Sequence, residues 1–194
     1  MKIILLFTFV SLFYSGVYGQ SIPNEVSSES FITLNGSAIS SIGHFEEDWN
    51  KGGGFFLNYS NVYSNHWALV FQIGFMKFKH NAEQDFGEDP KFTAIPLQVG
   101  GRYYFLLDTF RPYMLAMSGV NIVSRKYSVE GAAVDTTSSH LNFQIGVGVD
   151  IMLFSQLGLD LHANYNSHLL DPTEPYNMTG LEYGVGIKWR ISGE

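Results

Sequence analysis

Polar and apolar residues alternate one by one over long stretches of the chain, most clearly in its last third. In residues 140–151, apolar side chains stand at every second position, with His, Asn, Gln, Gly and Asp between them. The same pattern returns in residues 157–168 and 181–191. A period of two places successive side chains on opposite faces of a strand. The three segments are therefore predicted to be β-strands.

Five earlier segments show the same alternation with more exceptions, at residues 31–40, 53–60, 67–79, 92–105 and 111–125. Pro96 falls inside the fourth of them and has no N–H to give to a neighbouring strand, so a local β-bulge is expected there. No helical period longer than one turn is apparent. The chain is therefore predicted to be all-β, with eight strands.

The connections between the predicted strands alternate in length. Short connections cover residues 61–66, 106–110 and 152–156, and long ones cover residues 41–52, 80–91, 126–139 and 169–180. An up-and-down order of antiparallel strands puts alternate connections at opposite ends of the sheet. One end should therefore be tight, and the other should carry long loops that hold 11 of the 18 acidic residues.

The make-up of the polar face indicates which face points inward. It holds mostly Gly, Asn and Gln with few charges, which suits the crowded interior of an eight-stranded barrel better than a water-exposed surface. Only 15% of the residues are charged, and strands of about 11 residues match a tilted bilayer crossing. The prediction is an eight-stranded antiparallel up-and-down transmembrane β-barrel. A soluble lipocalin-like ligand-binding barrel is the alternative.

Two sets of residues follow from this orientation. Rings at the tight end are expected to form an aromatic girdle at the membrane interface: Tyr59, Trp67, Tyr103, Phe105, Tyr113 and Trp189. The interior should hold a neutral set of charges: Asp150, Asp160, Glu182, Arg102, Lys188 and Arg190. Counting from the connections places Asp160 roughly opposite both Asp150 and Lys188, to within two to four residues. The two carboxylates should meet near the tight end, where Lys188 or Arg190 compensates them.

The first twenty residues follow a different plan. A short positive start is followed by a mostly apolar run from Ile3 to Tyr18 and by small residues before Gln20. This order is typical of a secretory signal peptide, and the run is short for a membrane-spanning helix of about 20 residues. We expect a signal peptide over residues 1–19, a short polar segment over 20–30 and a barrel domain over 31–191.

Composition and charge exclude several classes of function. A formal net charge of −7 argues against nucleic-acid binding. The absence of cysteine from the sequence excludes disulfides, thiolate zinc sites and cysteine nucleophiles. The six histidines show no spacing typical of metal ligands, and the Gly-x-Gly pairs at 146/148 and 184/186 are expected to relieve crowding inside the barrel. No catalytic, cofactor-binding or metal-binding residue is predicted.

Residues 95–105 together with Arg111-Pro112-Tyr113 resemble bacterial outer-membrane β-barrel domain proteins, of the small eight-stranded OmpA/OmpX type. The closing Glu182-x-Gly184-x-x-Ile187-x-Trp189 is similar to the C-terminal assembly signal of such barrels, although five residues follow it here. The resemblance implies the outer membrane of a Gram-negative-type bacterium, periplasmic termini and loops that face outward. It also implies outer-membrane lipid and the barrel assembly machinery as partners.

These observations favour a non-enzymatic outer-membrane barrel that acts in envelope integrity or in surface interaction through long acidic loops. A surface ligand would contact loops 41–52, 80–91, 126–139 and 169–180. Two other functions remain open at this point. One is a lipid-modifying outer-membrane enzyme, and the other is a narrow transporter of small hydrophobic compounds.

Overall fold

The computed structural model describes residues 28–63, 66–80, 90–129, 132–168 and 178–192. These ranges contain eight strands and one short helix: β1 (Glu29–Ser41), α1 (His44–Asp48), β2 (Trp49–Val62), β3 (Trp67–His80), β4 (Lys91–Tyr104), β5 (Phe110–Val129), β6 (Ala132–Met152), β7 (Leu157–His168) and β8 (Thr179–Ser192). No helix within these ranges is long and apolar enough to cross a membrane. The expected signal peptide lies outside the described residues.

The strands form a closed antiparallel barrel in the order in which they occur along the chain. Each strand pairs with the next, and β8 pairs with β1 to close the ring. Ser30 pairs with both Asn61 and Ser192, so the start of β1 and the end of β8 lie at the end with the short turns. We call this the short-turn end and the opposite one the loop end. The predicted eight-stranded up-and-down barrel is confirmed.

Side chains alternate between the outer wall and the lumen as the pattern predicts, with the apolar face outward. Leu34, Phe71 and Ile187 are exposed to 59%, 47% and 56%, whereas Asn35 and Gln144 are almost fully buried. A water-soluble barrel needs the reverse arrangement, because its apolar face must be removed from water. The wall of this barrel is therefore built to contact an apolar environment.

Two of the predicted long connections are partly regular structure. β5 and β6 remain paired as far as Val129↔Ala132, so residues 126–139 form most of an extended hairpin and not a loop. Residues 41–52 contain α1 and the start of β2. Within the described chain, β4 pairs with β5 only up to Lys126, and β7 pairs with β6 only up to Asn142. Regular strand pairing therefore extends into a segment whose sequence shows no apolar alternation.

The bulge expected at Pro96 is wrong. The register between β3 and β4 is the same on both sides of Pro96, at Ile73↔Leu97 and at Met76↔Ala94, and the pairing with β5 continues through it. Between β3 and β4, only residues 74–75 and 95–96 are not paired with each other. A missing N–H thus interrupts the ladder locally without shifting the strand.

Candidate functional site

The lumen near the short-turn end holds a compact group of buried charges. Arg102 Nη1 lies 3.2 Å from Asp150 Oδ2 and 3.3 Å from Asp160 Oδ2. Lys188 Nζ donates to Asp150 Oδ2 and, over 2.9 Å, to the Tyr104 hydroxyl. Two cations therefore face two carboxylates in a space closed to solvent, where an uncompensated charge is costly.

Two tyrosines complete this group. Tyr104 donates to Asp150 and Tyr113 donates to Asp160, each over 2.8 Å. The Arg102 guanidinium lies 3.9 Å from the centre of the Tyr113 ring, a cation–π distance. Asp150 and Asp160 are directly opposite each other on β6 and β7. The two strands thus bring like charges together, β4 and β8 supply the cations that neutralise them, and β5 adds a hydroxyl donor.

A smaller group of ion pairs lies nearer the short-turn end, at the mouth of the lumen. Glu29 accepts from Arg111 over 2.7 Å and from Arg190 over 3.1 Å. Of the two cations predicted as alternatives to compensate the carboxylates, Lys188 pairs with Asp150, and Arg190 pairs with Glu29 at the start of β1. Asp160 faces Gly186 and Lys188 faces Gly158, so Lys188 lies two residues from the position directly opposite Asp160, within the precision of the prediction.

His162 links the charged group to the middle of the lumen. Its Nδ1 lies 2.6 Å from Asp160 Oδ1, and its Nε2 lies 3.1 Å from Glu182 Oε1. Ser37 and Asn166 also donate to the Glu182 carboxylate, over 3.0 Å and 2.8 Å. Glu182 therefore belongs to a second layer, separate from the Asp150 and Asp160 pair.

Amide side chains continue the polar contacts around the mid-lumen. Gln72 donates to Gln98 over 2.6 Å and to Gln144 over 3.3 Å. Asn142 donates to Asn121 over 2.7 Å. The contact between Gln72 on β3 and Gln144 on β6 crosses the ring, so the space between the strands is occupied by side chains.

At the loop end the lumen is closed by apolar side chains, which we call the aromatic plug: Ile39, Phe45, Trp49, Phe56, Met76, Phe78, Phe92, Ala94, Val123 and Met178. Phe45 comes from α1 and is 1% exposed. Its ring contacts those of Phe78 and Phe92 edge-on, both at 5.1 Å between centroids. The short helix therefore holds one ring inside the barrel mouth.

A shallow depression lies on the outer wall of the described barrel. It has a volume of about 700 Å³ and is lined by small and apolar residues of β6, β7, β8 and β1, among them Gly36, Ala38 and Ala163. The lumen itself is occupied by ion pairs, amides and the aromatic plug. Side chains of facing strands therefore meet across the described part of the lumen.

The structure places the expected girdle residues in two different locations. Tyr59, Trp67, Phe105 and Trp189 are exposed on the outer wall, with Tyr103 packed edge-on against Trp67. Tyr113 is 2% exposed and points into the lumen, so its assignment to the girdle is wrong. Near Tyr113 both faces of β5 carry apolar residues, so the hydrophobic pattern does not show which face points into the lumen.

Several residues of these sites were not predicted from the sequence. Glu29 was assigned to the polar leader because the strand pattern begins after it. Tyr104 and Arg111 are spaced two residues from Arg102 and Tyr113 respectively, and that spacing on one strand face is the signal that identifies them. Phe45 lies in a short segment without periodicity, so no pattern marks it as buried.

Comparisons with known proteins give one family and several similar folds. A family model described as the outer membrane protein beta-barrel domain matches residues 24–191. The fold is similar to Neisserial surface protein A, with a TM-score of 0.56 and 14% identity over 84% of this chain and 97% of that one.

Two further solved structures show the same likeness. For the attachment invasion locus protein Ail of Yersinia pestis, the TM-score is 0.51 and the identity 18%, over 84% of this chain and 98% of that one. For a major outer membrane protein from Thermus thermophilus, the TM-score is 0.57 and the identity 12%, over 84% of this chain and 99% of that one. Comparison with curated protein sequences finds no match. At these identities the likeness concerns the fold.

Proposed function

The chain belongs to the outer membrane protein beta-barrel domain family, and from this membership we propose that it is a non-enzymatic barrel that supports the envelope and contacts partners through its loop end. Its location is the outer membrane. The loop end faces the outside of the cell, and the short-turn end with both ends of the barrel chain faces the periplasm.

The observation that carries this proposal is the closed lumen. Ion pairs fill the short-turn end, amides and His162 occupy the middle, and the aromatic plug closes the loop end. The buried carboxylates and cations are bound to one another, so they are not disposed to receive a substrate. What the molecule presents to the outside is therefore its loop-end surface.

That surface includes the β5–β6 hairpin and α1, and the sequence there is rich in acid. The similar barrel Ail has been crystallised in complex with the heparin analogue sucrose octasulfate, whose sulfate groups are anionic. The acidic connections of this chain favour an uncharged or cationic surface partner, because a polyanion would be repelled by them.

Planar-bilayer recordings of the refolded protein test the closed lumen. We expect no steady conductance, because side chains from opposite strands meet across the barrel. A stable open channel would contradict the proposal. The matched comparison is a variant with the plug reduced, Phe45→Ala with Phe92→Ala, which removes rings only from the loop end and leaves the ion pairs in place.

Incubation with labelled lipid A tests the absence of enzymatic activity. The mass of the recovered lipid should be unchanged after prolonged incubation with folded protein. A loss or gain of an acyl chain that depends on the folded barrel would make the protein a lipid-modifying enzyme and overturn this part of the proposal.

A further inference from the structure

A serine and a histidine lie side by side at the loop end of the lumen, apart from the charged groups described above. Ser138 and His140 are two residues apart on β6, so both side chains are on the same face of the strand. The Ser138 hydroxyl lies 2.7 Å from His140 Nε2. A serine within hydrogen-bond reach of an imidazole is the arrangement that converts a weak nucleophile into a reactive one.

The His140 imidazole is held in this orientation by a chain of buried side chains. Its ring stacks on that of His168, with 5.1 Å between the centroids and 8° between the planes. His168 Nε2 accepts from the amide nitrogen of Asn121 over 2.8 Å, and the amide oxygen of Asn121 accepts from Asn142 over 2.7 Å. Asn121, Asn142 and His168 are all buried. They therefore form a rigid backing that fixes the position of the His140 ring.

The serine and the histidine themselves are less enclosed than their backing. Ser138 and His140 are each half-buried, and they lie beyond Asn142, the last residue of β6 that pairs with β7 in the described chain. Ser138 is directly opposite Val123 of the aromatic plug. A molecule that enters at the loop end would therefore meet an apolar surface beside the hydroxyl group.

We propose that Ser138 is a site of covalent acyl modification, which takes the acyl group of a small activated ester with His140 as the general base. His140 Nε2 receives the hydroxyl proton while Ser138 Oγ forms a bond to the carbonyl carbon of the ester. The bond from that carbon to the leaving oxygen then breaks, and the leaving group departs with the proton from His140. The products are an O-acyl serine and a free alcohol, and no oxidant or reductant is needed.

The acyl group remains on Ser138 once it has been transferred. It is then held as an alkyl ester, whose leaving group is a serine alkoxide and is much poorer than the leaving group of an activated ester. Acylation is therefore faster than release, and the acyl form of the protein accumulates. The site takes a single acyl group per chain, and this assignment goes beyond the non-enzymatic function proposed above without replacing it.

The test treats the full barrel, refolded in a neutral maltoside detergent, with p-nitrophenyl acetate and follows the release of p-nitrophenol. Peptide mass spectrometry then locates the acetyl group. Ser138→Ala removes the nucleophile, and Ser139→Ala is the matched control because the neighbouring hydroxyl lies on the opposite face of the strand. His140→Gln removes the base. A different gel mobility before and after boiling establishes that each variant is folded.

We expect a rapid release of about one equivalent of p-nitrophenol and an acetyl group on Ser138, both in the parent and in Ser139→Ala. Ser138→Ala should lose this phase, and His140→Gln should slow it by roughly 100-fold or more, as when a general base is removed. His168→Phe should keep most of the rate, because a ring still backs His140. His168→Ala should lower the rate by about 10-fold or more, because the imidazole is no longer held in place.

The absence of a rapid phase in the folded parent would overturn the proposal. So would acetyl groups found on lysines alone, or equal release by Ser138→Ala and the parent. Sustained release that requires Ser138 and passes through its acetyl form would support the nucleophile and overturn the non-enzymatic function. The two proposals therefore fail separately.

Discussion

At the scale of single residues, the buried charges near the short-turn end give the sharpest prediction. Lys188→Ala removes one of the two cations that contact Asp150 while leaving that carboxylate in the lumen. We expect the free energy of unfolding to fall by about 3–5 kcal/mol, as when one member of a buried pair is removed. Adding Asp150→Asn should recover much of the loss. Urea unfolding of the refolded barrel measures both effects.

The matched control for this pair is Lys126→Ala. Lys126 and Asp135 also form an ion pair, but their side chains are 59% and 62% exposed. Exposed pairs contribute about 1 kcal/mol or less. If Lys188→Ala proves no more harmful than Lys126→Ala, the charges near the short-turn end do not act as a buried network.

A second prediction concerns the glycines that face the crowded lumen. A Cβ placed on Gly148 would lie 2.4 Å from the Tyr113 ring and 2.6 Å from the carbonyl oxygen of Leu161. Gly148→Ala should therefore lower the free energy of unfolding by about 1–3 kcal/mol through overpacking. Gly101→Ala is the control, because its Cβ would meet the Trp67 ring at an ordinary 3.8 Å. Equal thermal stability of the two variants would contradict the packing account.

The sequence predicts a residue of these sites only where the chemistry of its side chain shows which face of the strand it lies on. Asp150 opposite Asp160 was predictable, because both lie on regular strands joined by a short turn. The partner of Asp160 was not, since a two-residue error in the longer connection moves Lys188 along its strand. Tyr113 was misplaced because a tyrosine suits an interface and a lumen equally well. Which groups meet across a barrel depends on closure, which no local pattern encodes.

At the scale of elements, α1 acts by inserting Phe45 into the barrel mouth. Phe45→Ala removes a buried ring that packs edge-on against Phe78 and Phe92. We expect a loss of about 3–5 kcal/mol and a red shift of the emission of Trp49, which lies in the same plug. Phe154→Ala is the matched control, because that ring is 70% exposed at the short-turn end. Unchanged emission and stability in Phe45→Ala would show that the ring does not close the mouth.

The strands were predictable where one face of a strand lines the lumen and the other contacts the apolar exterior. The alternation located all eight strands, since every second residue must suit a different environment. It failed in residues 126–139, where β5 and β6 remain paired as far as Val129↔Ala132. A segment such as Thr136-Thr137-Ser138-Ser139 has no apolar face to display. Pairing there is held by the backbone ladder, which leaves no mark on the hydrophobic pattern.

At the scale of the whole molecule, the orientation in the membrane can be tested with inserted epitopes. A tag at 83–88, at 130–131 or at 171–175 should be reached by antibody on intact cells, and a tag at 107–109 should be reached only after the outer membrane is opened. The reason is that the connections after β3, β5 and β7 share one end of the up-and-down barrel, and the turn after β4 lies at the other. Flow cytometry of tagged cells gives the measurement. The opposite labelling pattern would invert the barrel.

The distribution of the buried charges over the strands has a consequence for the order of assembly. Asp150 and Asp160 lie on β6 and β7, but Lys188 lies on β8, the last strand of the chain. A sheet that lacks its final strand therefore carries more carboxylate than Arg102 alone can neutralise, in an environment where unpaired charge is costly. Insertion of β8 supplies the missing cation in the same step that joins β8 to β1. Pairing of β8 with β1 therefore closes the ring and completes the ion pairs of Asp150 in the same step.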